Sequence, residues 1–421
     1  MINKNSDVLP LVLYGAGNKA VEDINIIRNE GINPVCFCDT DISRQGTVYL
    51  DLPVISLEQA KKIYGDFNIF VTPLLKKQEI FDYLLKYEVK KERILNYSEW
   101  YQGCSLLEAH LAVDQVQGMF FCCPMNDEMN MDAPPIISWD NGEDVIESTI
   151  SRWLDMRDRL ILSIRNKEAS ECAHCSNIKY ACWPYDKKLN TVHFCFKLPC
   201  QMSCIYCRNL IGITEENERF MDCFDFKRFV RSMEERKLLS EHTEFNIATG
   251  EITIYSRKDE LLDSVEKYKL TLDTNAAIFD ERIAKLASRS GSCLYISPDS
   301  GTRETYKRIK GVDAFDTVWS NIRKYVEHGV RLYIKYVLLD KNSNNSDITG
   351  FINETLKIRD GVLSIVISSD FYKQHPYTDE QIKQIAKMIT LAKHNNIPVA
   401  INSSYTFNDI ERINKAVESN L

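Results

Sequence analysis

The chain has 421 residues, enough for two or three domains that each have their own core. Hydrophobic residues make up 44% of the sequence and charged residues 27%, the balance of an ordinary globular protein. The formal net charge of −8 argues against a general affinity for nucleic acid or for an anionic membrane surface. No apolar run approaches the roughly 20 residues that span a bilayer, and the first residues lack the pattern of a secretory signal. We therefore expect a cytoplasmic protein with neither a nucleic-acid nor a membrane partner.

The first hundred residues alternate between strand-like and helix-like segments. An apolar run at 11–14 leads into Gly15 and Gly17 and then into a predicted helix, and a second apolar run at 35–38 ends at Asp39. This order predicts a Rossmann-like, doubly wound domain over residues 1–100. Gly15 and Gly17 would let the backbone approach a nucleotide phosphate, and Asp39 would bind ribose hydroxyls. The alternative is that the glycines serve only strand–helix packing. The domain resembles the Rossmann-like modules that accompany enzymes of surface-sugar pathways.

Residues 101–188 have a different composition, with few clear strands and six of the 14 cysteines. Thiols in the cytosol stay reduced, so cysteines that cluster there usually act as ligands or nucleophiles. The six are Cys104, Cys122, Cys123, Cys172, Cys175 and Cys182. We predict a small cysteine-rich segment between two α/β domains.

From residue 189 to residue 421 the strand–helix alternation resumes and persists. The predicted strands are 192–196, 244–248, 270–273, 294–297, 332–338, 363–367 and 399–401, and predicted helices such as 280–287, 315–328 and 379–394 fall between them. Six or seven βα units in series predict a partial (β/α)6-type parallel barrel. The expected fold class is therefore α/β, with this barrel, the N-terminal domain and the small cysteine-rich segment.

Three cysteines directly follow the first strand of the predicted barrel. Cys200, Cys204 and Cys207 have the spacing C-x3-C-x2-C, and Tyr206 stands before the last of them. Three thiolates on one loop can each bind one iron of a [4Fe–4S] cubane and leave the fourth iron open. This pattern resembles the motif of the radical S-adenosylmethionine (SAM) superfamily. The alternative, a structural zinc site, would need a fourth ligand such as His193.

The resemblance continues at the strand ends that follow and implies a set of contacts with SAM. Glu251 would accept hydrogen bonds from the SAM ammonium group, although Thr249 stands where the family has a glycine. Ser297 and Asp299 would face the ribose, and Lys335 would pair with the carboxylate. The full predicted set is Tyr206, Gly250, Glu251, Asn275, Ser297, Asp299 and Lys335. All lie at or near the carboxyl ends of strands, where parallel α/β barrels place their ligands.

The cysteines of the middle segment resemble those of SPASM or twitch domains, which hold auxiliary [4Fe–4S] clusters. In that family the domain usually follows the barrel, whereas here it would precede it. The preferred ligands are Cys104, Cys123, Cys172 and Cys175, with Cys122 and Cys182 as substitutes. A tetrahedral zinc held by the same four thiolates is the alternative.

The resemblance implies an enzyme that reductively cleaves SAM to a 5′-deoxyadenosyl radical, which then removes a hydrogen atom from the substrate. An activated sugar or a similar small molecule is the first expectation for the substrate, and a peptide is the second. An electron donor such as flavodoxin or ferredoxin would be a partner. Two other classes stay open: an NAD-dependent oxidoreductase, which would leave the barrel motifs unexplained, and a zinc-stabilised binding protein, which would explain only the cysteines.

Overall fold

The structure is a computed structural model of the chain. It describes residues 9–17, 19–29, 31–73, 77–96, 98–114, 117–121, 136–139, 145–172, 175, 177–184, 188–196, 198–207, 223–248, 250–370, 376–402 and 405–419. Two compact units are present, residues 1–104 with 176–187 and residues 105–175 with 188–421. The predicted middle segment, 101–188, falls partly in each unit. None of the described helices is long and apolar enough to cross a membrane.

The first unit is built on a five-stranded sheet of order β3-β4-β2-β1-β5, in which only β3 and β4 pair antiparallel. The strands are β1 (Leu11–Tyr14), β2 (Cys36–Cys38), β3 (Val48–Tyr49), β4 (Leu52–Ile55) and β5 (Asn68–Val71). The helices are α1 (Lys19–Asn29), α2 (Leu57–Tyr64) and α3 (Lys77–Lys86), followed by a 3-10 turn at Lys91–Arg93. A separate antiparallel ribbon pairs β6 (Ser98–Gly103) with β9 (Lys179–Pro184). The apolar runs that the sequence analysis identified thus form buried parallel strands.

The second unit is built on a nine-stranded sheet of order β16-β15-β14-β13-β12-β11-β10-β7-β8. Its first strands are β7 (His110–Asp114), β8 (Gly118–Phe120), β10 (Thr191–Phe194), β11 (Glu244–Ile247) and β12 (Lys269–Thr274). The others are β13 (Cys293–Ile296), β14 (Leu332–Leu338), β15 (Val362–Ser369) and β16 (Val399–Ile401). Every neighbouring pair is parallel except β7 and β8. All seven strands predicted between residues 192 and 401 are present.

Helices precede, connect and follow these strands. They are α4 (Ser105–Ala109), α5 (Val145–Asn166), α6 (Phe226–Glu235), α7 (Lys258–Val265), α8 (Glu281–Ala287), α9 (Arg303–Lys310), α10 (Phe315–Glu327), α11 (Asn345–Leu356), α12 (Asp379–His394) and α13 (Phe407–Glu418), with 3-10 turns at Ile252–Ile254 and Arg359–Gly361. The core lies between helices and one face of the sheet. Phe226 of α6 packs on Phe194 of β10 with ring centroids 6.4 Å apart, and Phe351 of α11 packs on Tyr336 of β14 at 4.7 Å.

The segment predicted to have few strands contributes more regular structure than expected. It supplies β7 and β8, which extend the large sheet beyond β10, and the 22-residue helix α5. The apolar run of β7 is only five residues long, and short runs do not distinguish a strand from a buried turn of helix. Its pairing with β10 decides the conformation, and β10 follows it by some 80 residues.

Candidate functional site

The candidate site centres on the cysteine loop, which we define as residues 198–207 at the carboxyl end of β10. Cys200 is exposed, whereas Cys204 and Cys207 are half-buried. Burial raises the pKa of the Cys200 and Cys204 thiols, and the nearby Lys310 ammonium opposes that effect at Cys204. The three side chains lie close enough to interact electrostatically, because Cys207 and Cys200 both raise the pKa of Cys204.

The turn after β11 holds the start of the cysteine loop. Gly250 has φ +70°, and a Cβ there would lie 2.1 Å from the Leu198 carbonyl oxygen, so only glycine fits. The next residue, Glu251, donates its backbone N–H to the Pro199 carbonyl oxygen at 2.8 Å. This close approach joins the predicted SAM-binding turn directly to the residues that precede Cys200.

The Glu251 carboxylate is completely buried and bonded to protein donors. Its Oε1 accepts from the backbone N–H and the hydroxyl of Thr253, at 3.0 and 2.7 Å. Thr274 Oγ1 lies 2.9 and 3.1 Å from the two oxygens, and the Asn275 backbone N–H donates to Oε2 at 2.6 Å. Burial raises the pKa of Glu251, while these hydrogen bonds lower it. The carboxylate therefore ties the end of β11 to the end of β12, and its contact with a SAM ammonium group stays a prediction.

Replacing Glu251 with alanine would leave the N–H groups of Thr253 and Asn275 buried without an acceptor. Each unsatisfied group costs about 1–3 kcal/mol, so we expect the free energy of unfolding to fall by roughly 2–5 kcal/mol. SAM affinity should fall with it, because the turn and Asn275 both adjoin the cysteine loop. Denaturant unfolding and SAM titration measure the two effects. Glu241→Ala, at a side chain that is 86% exposed, is the matched control; equal stability of the two variants would contradict this role.

Asn275 links the end of β12 to the cysteine loop. Its side-chain Nδ2 donates to Gln201 Oε1 at 3.1 Å and lies 3.6 Å from Cys200 Sγ. Its Oδ1 accepts from the backbone N–H of Ala277 at 2.9 Å. The predicted ribose contact thus lies beside the first cysteine of the triplet.

The carboxyl end of α9 holds the rest of the loop. Ser203 and Ile205 donate their backbone N–H groups to the carbonyl oxygens of Lys310 and Ile309, both at 3.0 Å. Gly311 caps the helix with φ +73°, and a Cβ there would lie 2.9 Å from Ser203 Cβ. The last carbonyls of a helix have no partner within it, and here the cysteine loop supplies their donors.

A buried polar cluster joins the end of α9 to the cysteine loop and to Asp299. Lys310 Nζ lies 2.5 Å from Asp299 Oδ2 and 2.6 Å from the Tyr206 hydroxyl oxygen, and the Tyr206 hydroxyl donates to Asp299. The side chains of Lys310 and Asp299 are 3% and 0% exposed. Burial lowers the pKa of Lys310, but the Asp299 carboxylate and the nearby side chains of Cys204 and Cys200 together outweigh that effect and leave the pKa raised. The stability that this pairing contributes is therefore complete below the ordinary lysine pKa and is lost only as the pH rises through the raised value.

Asp299 is held in place from two further sides. Its Oδ1 accepts from the backbone N–H of Val337 at 2.7 Å, and its carbonyl oxygen accepts from Asn342 Nδ2 at 2.8 Å. These contacts keep the residue at φ +54° without exposed surface. Its predicted contact with the SAM ribose stays a prediction. Ser297 and Lys335 are also predicted SAM contacts. Ser297 directly follows β13, Lys335 lies within β14, and both are half-buried.

The predicted nucleotide residues of the first unit form their own network. Asp39 Oδ2 accepts from the backbone N–H of Ala16 at 2.9 Å, and Arg44 Nη1 donates to the Ala16 carbonyl oxygen at 2.7 Å. Gly15 has φ +99°, and a Cβ there would lie 2.6 Å from the ring of Pro73. At Gly17, by contrast, a Cβ would meet only Arg44, at 3.9 Å. Gly15 thus has a packing role, and nucleotide binding by Gly15, Gly17 and Asp39 stays a prediction.

The predicted auxiliary ligands are described only in part. Cys104 is buried in the first unit, while Cys172 is buried and Cys175 half-buried in the second. The backbone N–H of Cys175 donates to the Cys172 carbonyl oxygen at 3.1 Å. Cys122 and Cys123 lie outside the described residues, as does the side chain of Cys182. Among the described residues, no three Cys, His, Asp or Glu side chains are gathered around one point as for a single metal ion.

Residues 199–352 match the family model described as the Radical SAM superfamily. The chain contains a radical SAM domain. This domain is that of an enzyme, and the family implies a [4Fe–4S] cluster and SAM as its cofactors. No curated protein sequence matches the chain.

Several solved structures resemble part of this chain. SuiB of Streptococcus suis bound to SAM aligns with a TM-score of 0.40 and 14% identity over 63% of this chain and 56% of that one. The anSMEcpe protein with bound SAM aligns with a TM-score of 0.37 and 16% identity over 48% and 60%. A domain of a pyruvate-formate lyase-activating enzyme from Bacteroides vulgatus aligns with a TM-score of 0.32 and 16% identity over 38% and 98%. The chain spans little more than half the length of SuiB. These scores bear on neither substrate nor reaction.

The donor atoms of the cysteine loop in the radical SAM domain are those that a [4Fe–4S] cubane requires. It presents three thiols from eight residues, each of which would bind a different iron, so they need not converge on one ion. Cys200 is exposed, and Asn275 Nδ2 lies 3.6 Å from its Sγ. Lys310 was not among the residues predicted from the sequence, because a lysine at the end of an amphipathic helix gives no signal that it is buried.

Proposed function

We propose that the protein is a radical SAM enzyme whose [4Fe–4S] cluster is held by Cys200, Cys204 and Cys207. When bound, the cluster supplies the electron that splits SAM into methionine and a 5′-deoxyadenosyl radical, which becomes 5′-deoxyadenosine by taking a hydrogen atom from a C–H bond of the substrate. A flavodoxin or ferredoxin would supply that electron. The protein's own part is to hold the reactants in place.

One observation carries the proposal: most of the predicted SAM-binding residues lie in the cysteine loop or contact it. Gly250 and Glu251 contact residues 198 and 199, Asn275 contacts Cys200, and Asp299 bonds to Tyr206. A zinc-stabilised binding protein would not need the ends of three separate strands, β11, β12 and β13, to meet the loop that carries the cysteines. Convergence of this kind fixes the positions of bound reactants.

In our proposal, the predicted contacts face different parts of the SAM molecule. Glu251 and Gly250 would face the ammonium group, Asn275, Ser297 and Asp299 the ribose, and Lys335 the carboxylate. Tyr206 would border the same site. Because Glu251 and Asp299 are already bonded to protein donors, they would act chiefly by fixing the turns that carry these contacts.

The substrate in this proposal is an activated sugar or a similar small molecule, and a peptide is the alternative. Cys104, Cys123, Cys172 and Cys175 would hold an auxiliary [4Fe–4S] cluster. Such a cluster could accept an electron from the substrate radical or orient the substrate. The hydrogen bond from the Cys175 backbone N–H to the Cys172 carbonyl oxygen supports two ligands from one short segment.

Metal analysis of anaerobically prepared protein tests both clusters. We expect about eight irons per chain with matching acid-labile sulfide if two [4Fe–4S] clusters are present, and 5′-deoxyadenosine on addition of SAM and dithionite. The Cys172→Ala/Cys175→Ala variant should lose about half of the iron and still cleave SAM, because the two sites share no ligand.

A zinc ion is the alternative to a [4Fe–4S] cluster at the middle cysteines. It predicts that the double substitution leaves iron unchanged and removes one zinc per chain. Circular dichroism must show that the variant is folded, since removal of a structural metal can unfold a small domain. Wild-type protein without iron would overturn the proposed function altogether.

A further inference from the structure

Gln201, the residue that directly follows the first cysteine of the triplet, forms a reciprocal pair with Asn275 at the end of β12. Asn275 Nδ2 donates to Gln201 Oε1 at 3.1 Å, and Gln201 Nε2 donates to Asn275 Oδ1 at 3.3 Å. Each side-chain amide thus both donates and accepts. We call Gln201 and Asn275 the amide pair. It joins two segments that lie 74 residues apart in the sequence.

The protein holds Asn275 from behind as well. Its backbone N–H donates to Glu251 Oε2 at 2.6 Å, and its Oδ1 accepts from the Ala277 backbone N–H at 2.9 Å. With Oδ1 fixed in this way, the two hydrogens of Nδ2 serve Gln201 Oε1 and Cys200 Sγ, which lies 3.6 Å away. A side-chain amide has only two N–H donors, so a ribose hydroxyl could bond to Asn275 only through Oδ1.

The sulfur of Cys200 therefore accepts from N–H groups. Burial raises the pKa of Cys200, while hydrogen bonds from the Met202 backbone N–H and the Asn275 side chain lower it. At Cys204 the pKa responds instead to burial and to nearby charges, led by the Lys310 ammonium. Hydrogen bonds to a thiolate favour the charged form, which is the form that binds iron.

Hydrogen bonds to the sulfur atoms of an iron–sulfur cluster are one of the features that set its reduction potential. A one-electron reduction adds one negative charge to the cluster, and that charge is shared with the ligand sulfurs. An N–H group that donates to a ligand sulfur stabilises this charge and makes the cluster easier to reduce.

We propose that Gln201 is a positioning residue that keeps Asn275 Nδ2 on Cys200 Sγ and thereby raises the reduction potential of the cluster. This inference rests on the proposed function, in which Cys200 is a cluster ligand. Gln201 acts through Asn275, since its own side chain bonds to the Asn275 amide. Its position next to Cys200 in the chain lets one contact fix both the ligand and the donor.

A redox titration of iron-loaded, SAM-free protein, followed by electron paramagnetic resonance of the reduced cluster, tests the inference. Gln201→Met keeps a side chain of similar length and removes both bonds of the amide pair. We expect the ratio of reduced to oxidised cluster at a fixed potential to fall about three- to tenfold. A tenfold change corresponds to about 59 mV for one electron. Ser203→Ala, at another exposed side chain of the cysteine loop, is the matched control and should keep the wild-type potential.

A double-mutant cycle shows whether Gln201 acts through Asn275. The effect of Gln201→Met on the potential should disappear in an Asn275→Ala background, because the donor that Gln201 positions is already gone. If the alanine variant does not fold, Asn275→Asp replaces it, since a carboxylate still accepts from the Ala277 N–H but cannot donate to Cys200. An equal effect of Gln201→Met in both backgrounds would contradict the inference.

Iron content and SAM affinity separate the remaining outcomes. A wild-type potential in folded, iron-loaded Gln201→Met overturns this inference and leaves the proposed function intact. A loss of SAM affinity with an unchanged potential also overturns it, because the amide pair would then serve the ribose. Wild-type protein without iron overturns the proposed function and this inference with it. A lowered potential with wild-type SAM affinity supports the inference.

Discussion

Replacing Cys200, Cys204 and Cys207 together with alanine should abolish formation of 5′-deoxyadenosine from SAM under reducing conditions. The three thiols are the only predicted protein ligands of the SAM-binding cluster, so the variant should also lose about four irons per chain. Liquid chromatography of the reaction mixture and metal analysis measure both losses.

Cys223→Ala is the matched control, because Cys223 is exposed and lies outside the cysteine loop. It should keep wild-type iron and SAM cleavage. The triple variant should also keep most of the fold, since Cys200 is exposed and Cys204 and Cys207 are half-buried. A folded triple variant that still produces 5′-deoxyadenosine would refute the cluster assignment.

Replacing Lys310 with methionine should destabilise the protein strongly and loosen the cysteine loop. The substitution leaves the Asp299 carboxylate buried with only Tyr206 and the Val337 backbone N–H as donors. Removing one partner of a buried ion pair typically costs about 3–5 kcal/mol. We also expect the reduction potential of the cluster to become more negative, because positive charge near Cys204 is lost. Denaturant unfolding and a spectroscopic redox titration measure the two effects.

Lys307→Met is the matched control, since Lys307 is an exposed lysine on the same helix. It should leave both stability and potential close to those of wild type. A merely structural role for Lys310 predicts lower stability with an unchanged potential. Stability equal to that of the control would show that the buried pair contributes little.

Local sequence determined the parts of the protein whose signals lie within a few residues. The spacing of Cys200, Cys204 and Cys207 places three thiols on one loop, and the apolar runs from 192 to 401 predicted all seven strands. Gly250 also belongs here, because the turn after a strand requires a residue that tolerates a positive φ. Such features depend on local backbone geometry, which the sequence encodes directly.

Only the tertiary structure decided which side chains meet. Lys310 contacts a tyrosine 104 residues away, and Glu251 accepts from donors 23 and 24 residues further along. The face of the large sheet on which Asp273 lies depends on how β12 pairs with β11 and β13. A shift of one residue in a strand sends every side chain to the opposite face. Burial and ion pairing therefore depend on strand register and on packing between distant segments, which no local pattern of residues contains.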